Sequence, residues 1–121
     1  MLVCLPTEGE AGLEDRLCEH FGSAPCFTIV DTATGAASVL ENLWREHGGA
    51  CAPAAAIREQ TVDAVVCGGM GRRALMALDG VRVHIADGGT VDELSTALVE
   101  GRLPPLDAAS ACAGGQGHGC H

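Results

Sequence analysis

With 121 residues, 47% of them hydrophobic and 19% charged, the chain is expected to be one folded domain with its own core and not a disordered segment. Seven basic residues, all arginine, against sixteen acidic ones leave a formal net charge of −9, which repels a phosphate backbone. Aromatic residues are Phe21, Phe27 and Trp44 alone, too few for a base-stacking platform, so no nucleic-acid partner is expected. No run of apolar residues is long enough to span a membrane, and Met1–Cys4 lacks the basic flank of a signal peptide, so the expected location is the cytoplasm.

In chain order, Met1–Leu5 is an apolar run stopped by Pro6 and predicts a buried first strand. A polar loop follows, and Leu13–Cys18 predicts a single helical turn with Leu13 and Leu17 on one side. Cys26–Val30 is rich in β-formers, Asp31–Gly35 is a turn signal, and Ala37–Leu43 returns, so the pair predicts a hairpin. Gly48 and Gly49 interrupt the chain, and Pro53 suits the first turn of a helix running to Gln60. Val62–Cys67 predicts a fourth strand ended by Gly68 and Gly69, Arg72–Leu78 a helix closed by Asp79-Gly80, and Val81–Ile85 a fifth strand. Thr90 with Glu93 three residues on forms a capping box for a helix that turns Val91, Leu94 and Leu98 inward and ends at Gly101. Pro104 and Pro105 close residues 1–106 as the domain, and 107–121 form a Gly-, Cys- and His-rich tail without predicted structure. The order β-β-β-α-β-α-β-α implies an α/β fold in which helices pack on a mixed five-stranded sheet.

The seven cysteines are an odd number without the spacing of a secreted disulfide scaffold, so thiols, metal ligands or redox groups are expected. Cys4 and Cys67 lie in apolar runs and are expected to be buried in neighbouring central strands, whereas burial cannot explain Cys112 and Cys120 in the tail. Four segments could carry chemistry. Glu19–Phe27 offers the His20 imidazole, a thiol at Cys26 and Gly22 for close backbone approach, although a lone loop histidine is more often merely solvated. Trp44–Cys51 offers His47 and Cys51, and a hairpin would bring this segment to the same sheet edge as His20, where imidazole and thiol suit a soft metal. An incidental histidine in a glycine-rich connector has the same pattern.

The third segment, Cys67-Gly68-Gly69-Met70-Gly71-Arg72-Arg73, joins a strand to a helix and could present amides and guanidinium groups to an anion. It matches neither G-x-G-x-x-G nor a P-loop, so an anion- or nucleotide-binding regulatory module is the alternative reading of the chain. In the tail, Cys112, His118, Cys120 and His121 are four ligand types within ten residues that could capture a divalent ion. No Cys-x-x-Cys occurs to support a thiol oxidoreductase.

His20-Phe21-Gly22-Ser23-Ala24 followed by Ile29-Val30-Asp31, then His47-Gly48, Val62–Val66 with Gly69-Met70-Gly71, Val81–Val83 and Thr90–Leu94, resembles the dinitrogenase iron–molybdenum cofactor biosynthesis family, the NifX-like proteins and their small orange-protein-like relatives. The resemblance spans roughly residues 1–103. It implies a ribonuclease-H-like fold and carriage of a metal–sulfur cluster, of molybdenum–iron or molybdenum–copper type, to a cofactor-assembly or acceptor protein, without catalysis. Within it, His20 corresponds to the histidine associated with cofactor binding. Cys26 and Cys51 have no counterpart in the family; the reading of the residues themselves adds Phe21, Gly22, Cys26, His47, Gly69, Gly71 and Arg72 to the expected binding set, with His20, His47, Cys51 and the tail ligands as metal donors. Phe21 is expected to turn inward and His20 to stay accessible.

Overall fold

The computed structural model describes residues 1–18, 21, 24–42, 57, 60–69, 75–76, 78 and 80–106. Five strands form one sheet: β1 (Leu2–Thr7), β2 (Cys26–Asp31), β3 (Ala37–Glu41), β4 (Ala64–Cys67) and β5 (Arg82–Ile85). Their spatial order is β3-β2-β1-β4-β5. β2 is antiparallel to both β1 and β3, while β1, β4 and β5 run parallel, so the sheet is mixed as the element order implied. The expected hairpin is present: β2 and β3 pair from Cys26↔Glu41 to Val30↔Ala37 around a turn in which the Gly35 N–H donates to the Asp31 carbonyl at 2.7 Å. Gly35 takes φ +77°, a left-handed conformation that glycine adopts without the Cβ clash.

β4 is apolar along its whole length and β1 from Leu2 to Leu5, as suits strands of a sheet covered on both faces. Alternate side chains supply two cores. Cys4, Phe27, Val65, Cys67 and Val83 face one side with Phe21, Ile57, Val62, Leu78 and Leu106. Val3, Leu5, Val30, Ala64 and Val66 face the other, where α1 (Val91–Val99) lays down Val91, Leu94 and Leu98. α1 starts and stops as its sequence signals. Thr90 and Glu93 form the reciprocal capping box, and Gly101, at φ +74°, closes a Schellman motif in which Gly101 N–H meets Leu98 and Arg102 N–H meets Ala97. Ile57, Leu75 and Met76 have helical backbone within the two other predicted helices, most of whose residues lie outside the described ones.

Two local expectations are corrected. β1 does not stop at Pro6 but continues through Thr7, which pairs with Cys26. The Pro6 carbonyl accepts the Cys18 N–H at 2.8 Å on the side away from β2, so the proline nitrogen faces that side too and the β1–β2 ladder loses no donor. Leu13–Cys18 is not one helical turn. A short 3₁₀ turn covers Gly12–Glu14, after which Arg16 bridges to Thr90 and Leu17 to Thr7. The Asp15 carboxylate captures the N–H groups of Ala11 and Arg16 at 2.9 and 2.8 Å, and Leu17 N–H donates to the Gly89 carbonyl, so side-chain and distant partners displace the helical bonds. Leu17 is buried all the same, and Leu13 packs beside it on the α1 face.

Candidate functional site

Strand direction gathers several chain ends at one place. The parallel strands β1, β4 and β5 all finish at the same end of the sheet, with Thr7, Cys67 and Ile85. β2 begins there at Cys26, opposite Thr7, and β3 ends there at Glu41, opposite Cys26. From β1 the chain passes to the strand on one side, and from β4 to the strand on the other. Open α/β sheets bind ligands at such a reversal, beyond the carboxyl ends of the strands. The segments containing His20, His47 and Cys51, and Gly71 and Arg72 all enter or leave the sheet at this end, next to Cys26, Asn42 and Cys67 respectively.

Phe21 turns inward as expected: it is fully buried, with its ring 5.2 Å from that of Phe27 at an interplanar angle of 51°. Cys18 and Phe21, which bracket Glu19 and His20 in the chain, both pack on the Cys4 face of the sheet. Cys26 is buried at the start of β2, where its carbonyl lies 3.4 Å from Thr7 Oγ1. Thr7 Oγ1 also lies 3.0 Å from Thr28 Oγ1, so two buried hydroxyls satisfy each other directly beneath this end. Asn42, the residue after β3, donates Nδ2–H to the Ala24 carbonyl at 2.8 Å and its main-chain N–H to the Pro25 carbonyl at 3.1 Å. Sequence reasoning passed over Asn42, Thr7 and Thr28; the one signal was a polar residue among apolar ones, Thr28 inside Cys26–Val30 and Asn42 inside the predicted strand Ala37–Leu43.

Cys4 and Cys67 are buried, free thiols on adjacent central strands, as expected. Burial pushes the Cys67 thiol up to about 11, against a smaller opposing effect of a hydrogen bond from the Gly69 backbone. Cys4 is raised further, by its own burial first and by the neighbouring Cys67 second. Both are therefore neutral at physiological pH and act as small hydrophobes.

Of the expected binding residues, Phe21, Cys26 and Gly69 are described, and Gly69 is buried just past β4. His20, Gly22, His47, Cys51, Gly71, Arg72, Cys112, His118, Cys120 and His121 lie outside the described residues. Among the described residues no group of three or more His, Cys, Asp or Glu side chains is placed to hold a metal ion, and no helix is long and apolar enough to cross a membrane.

Comparison with known proteins covers nearly the whole chain. The family model for dinitrogenase iron–molybdenum cofactor matches residues 1–101. No curated protein matches. Among solved structures, a Thermotoga protein placed with NifB is 30% identical over 93% of this chain and 96% of its own, with a TM-score of 0.76. The apo form of the orange protein from Desulfovibrio gigas is 28% identical over 88% of this chain and 96% of its own, with a TM-score of 0.77. A Methanocaldococcus jannaschii protein described as a dinitrogenase shares the fold at 17% identity, covering 88% of this chain and 95% of its own with a TM-score of 0.65.

Proposed function

The chain belongs to the dinitrogenase iron–molybdenum cofactor family, and on that premise we propose that it is a small carrier that binds a metal–sulfur cluster and delivers it to a partner. The cargo is a precursor of the iron–molybdenum cofactor or a related molybdenum–iron or molybdenum–copper sulfide species. The recipient is a cofactor-assembly or acceptor protein in the cytoplasm, and the carrier itself catalyses nothing. Its order β3-β2-β1-β4-β5 with β2 antiparallel is read as ribonuclease-H-like, a scaffold here without nuclease carboxylates on β1 or at the end of β4.

The observation that carries this reading is that the described flanks of all three candidate segments meet at one sheet end. In this proposal His20 is the principal ligand, with His47 and Cys51 as further donors and Cys26 at the base of the site. Imidazole and thiolate suit soft metals and sulfide clusters. Gly22, Gly69 and Gly71 allow backbone to approach the cargo, Phe21 anchors the His20 segment, and Arg72 offsets the negative charge of a cluster. Residues 1–106 form the carrier domain. The tail ligands Cys112, His118, Cys120 and His121 make a separate site for a divalent ion. The net charge of −9 suits docking to a partner with a basic face.

The test is anaerobic loading of the full chain with tetrathiomolybdate plus ferrous or cuprous ion, followed by desalting and measurement of metal, sulfide and visible absorbance per protein. The parent is expected to retain a coloured cluster. His20→Ala should retain about tenfold less with unchanged far-ultraviolet circular dichroism, and His47→Ala should lose less. If His20→Ala loads like the parent while Cys112→Ser/Cys120→Ser does not, the cargo site is in the tail. If the parent stays colourless and instead binds inorganic phosphate or a nucleotide, the Gly68–Arg73 reading replaces the carrier.

A further inference from the structure

The two edges of the sheet are finished differently. Residues 103–106 run beside β5: the Pro104 carbonyl accepts the Ile85 N–H at 2.9 Å, and the Leu106 N–H donates to the Val83 carbonyl at 2.8 Å. Pro105, opposite His84, lies between those bonds with its nitrogen facing outward, and it has no hydrogen to offer a further strand. β3 is the other edge, and among the described residues nothing pairs with its outer side. The Asp31 N–H donates to the Ala36 carbonyl and the Asn42 N–H to the Pro25 carbonyl, so the even-numbered residues of β3 bond to β2. Ala37, Val39 and Glu41 therefore point their N–H and C=O groups outward. No lysine, proline or bulge interrupts Ala37–Glu41, the devices that commonly guard an open edge.

The surface beside that edge has a definite chemistry. Val30 pairs with Ala37 and Thr28 with Val39, so Ala37, Val39 and Glu41 lie on the α1 face together with Val30. Val39 and Val99 are exposed apolar side chains. Between the β2–β3 turn and α1, a groove of about 260 Å³ is lined by Leu13, Val30 and Val99 with Asp92 and Glu100, and by no basic residue. Glu100 pairs with Arg102 at the surface, whereas Glu41 and Asp92 form no ion pair among the described residues. We infer that β3 is a docking edge for an extended segment of a partner protein, with a β-branched residue opposite Val39 and arginine or lysine at the alternate positions on either side, opposite Glu41 and toward Asp92. Main-chain bonds to the edge supply affinity, and alternate side chains on the α1 face supply specificity. A second copy of this chain fits worse. The antiparallel register that pairs all of Ala37–Glu41 sets the Glu41 of each copy against the Ala37 of the other, whose neighbour Val30 lines the acidic groove, and each copy carries a net charge of −9. The inference names how the recipient docks, and to that extent rests on the carrier reading above.

The experiment titrates the full chain, without cargo, with a fluorescent peptide in which arginine, valine and arginine alternate with threonine, and with the same peptide carrying glutamate in place of arginine. Amide hydrogen exchange locates the contact, and sedimentation of the chain alone reports self-association. The arginine peptide should bind saturably, about tenfold tighter than the glutamate version, and less tightly as salt is added. Exchange should slow at the Ala37, Val39 and Glu41 amides. Glu41→Arg should weaken binding about fivefold. Val39→Pro removes an outward N–H that β2 does not use and should abolish binding. Val39→Arg, at an exposed position, should weaken it about tenfold and keeps the test decisive if the proline variant does not fold. Equal affinity for the two peptides overturns the inference, as does parental affinity in folded Val39→Arg and Glu41→Arg, or unchanged exchange along β3. A concentration-dependent dimer of the parent that Val39→Arg abolishes assigns the edge to a second copy and overturns it too. A chain that binds the peptide but retains no cluster overturns the carrier reading alone, whereas one that loads a cluster and ignores the peptide overturns the docking edge alone.

Discussion

The two ends of the sheet are built by opposite means. At one end, β2 turns into β3 within Thr32–Ala36, and local bonds close it: Asp31 accepts from Thr34 and Gly35 through its carbonyl and from Ala33 through its carboxylate. The N-terminus joins that end, with Thr32 N–H donating to the Met1 carbonyl. At the other end the strands do not turn back on themselves. They release or receive long segments, and the contacts there tie residues far apart in sequence, Thr7 to Thr28 and Asn42 to Ala24. The first end is a closure that any stable hairpin needs. The second is where the flanks of the three candidate segments meet, and folds commonly host binding on long segments held by a rigid scaffold.

The largest expected effect that sharpens this contrast comes from Phe21→Ala. Phe21 is fully buried against Phe27, so truncation should cost about 3–5 kcal/mol by the usual measure for a buried aromatic. Because His20 is its chain neighbour, cluster retention should fall as well, even at temperatures where the variant stays folded. Urea unfolding and anaerobic loading measured on the same preparation check both. Parental retention in a destabilised Phe21→Ala would separate the core of this end from its binding role.

The middle effect belongs to the closed end. Gly35→Ala forces a Cβ into φ +77°, with no other atom within 4 Å of it, so the penalty is backbone strain alone, about 1–2 kcal/mol. Cluster loading should be unchanged. A loading defect in a folded Gly35→Ala would mean that the two ends are coupled through β2 and β3, and the contrast would lapse.

What was legible in the sequence follows the same division. α1 was readable almost to the residue, because Thr90, Glu93 and Gly101 are local signals and Leu94 and Leu98 repeat at helical spacing. The hairpin was readable from Asp31–Gly35, and the burial of β1 and β4 from the near-continuous apolar runs Met1–Leu5 and Val62–Cys67. Pro6 misled because its cost depends on which side its nitrogen faces, and that is set by the distant Cys18. Leu13–Cys18 misled because Asp15 and Gly89 outbid the helix for its N–H groups. At the opposite end, residue types such as histidine and cysteine announced the candidate segments, but an asparagine whose partner lies 18 positions away announces nothing in one dimension. The inward turn of Phe21 was legible and its packing on Phe27 agrees with it.

The smallest effect tests whether Cys67 belongs to the core or to the proposed site, since it is the last residue of β4. Its thiol is raised from 9.0 to about 11, chiefly by burial, and Cys4 moves in the same direction. The sign follows from proton counting. Below about pH 9 both folded and unfolded chains keep these protons, so stability should not depend on them. Between pH 9 and about 11 the unfolded chain ionises while the folded one holds its protons, so stability should fall as pH rises. The chain has no lysine and no tyrosine, which leaves cysteine as the side chain that titrates in that window. Urea midpoints at pH 8, 10 and 11 should therefore decline in the parent and decline less in Cys4→Ala/Cys67→Ala. At pH 8 a thiol reagent should leave Cys67 unmodified in the folded state. Rapid modification there, or a midpoint that stays flat to pH 11, would take Cys67 out of the core and make it a ligand beside Gly69.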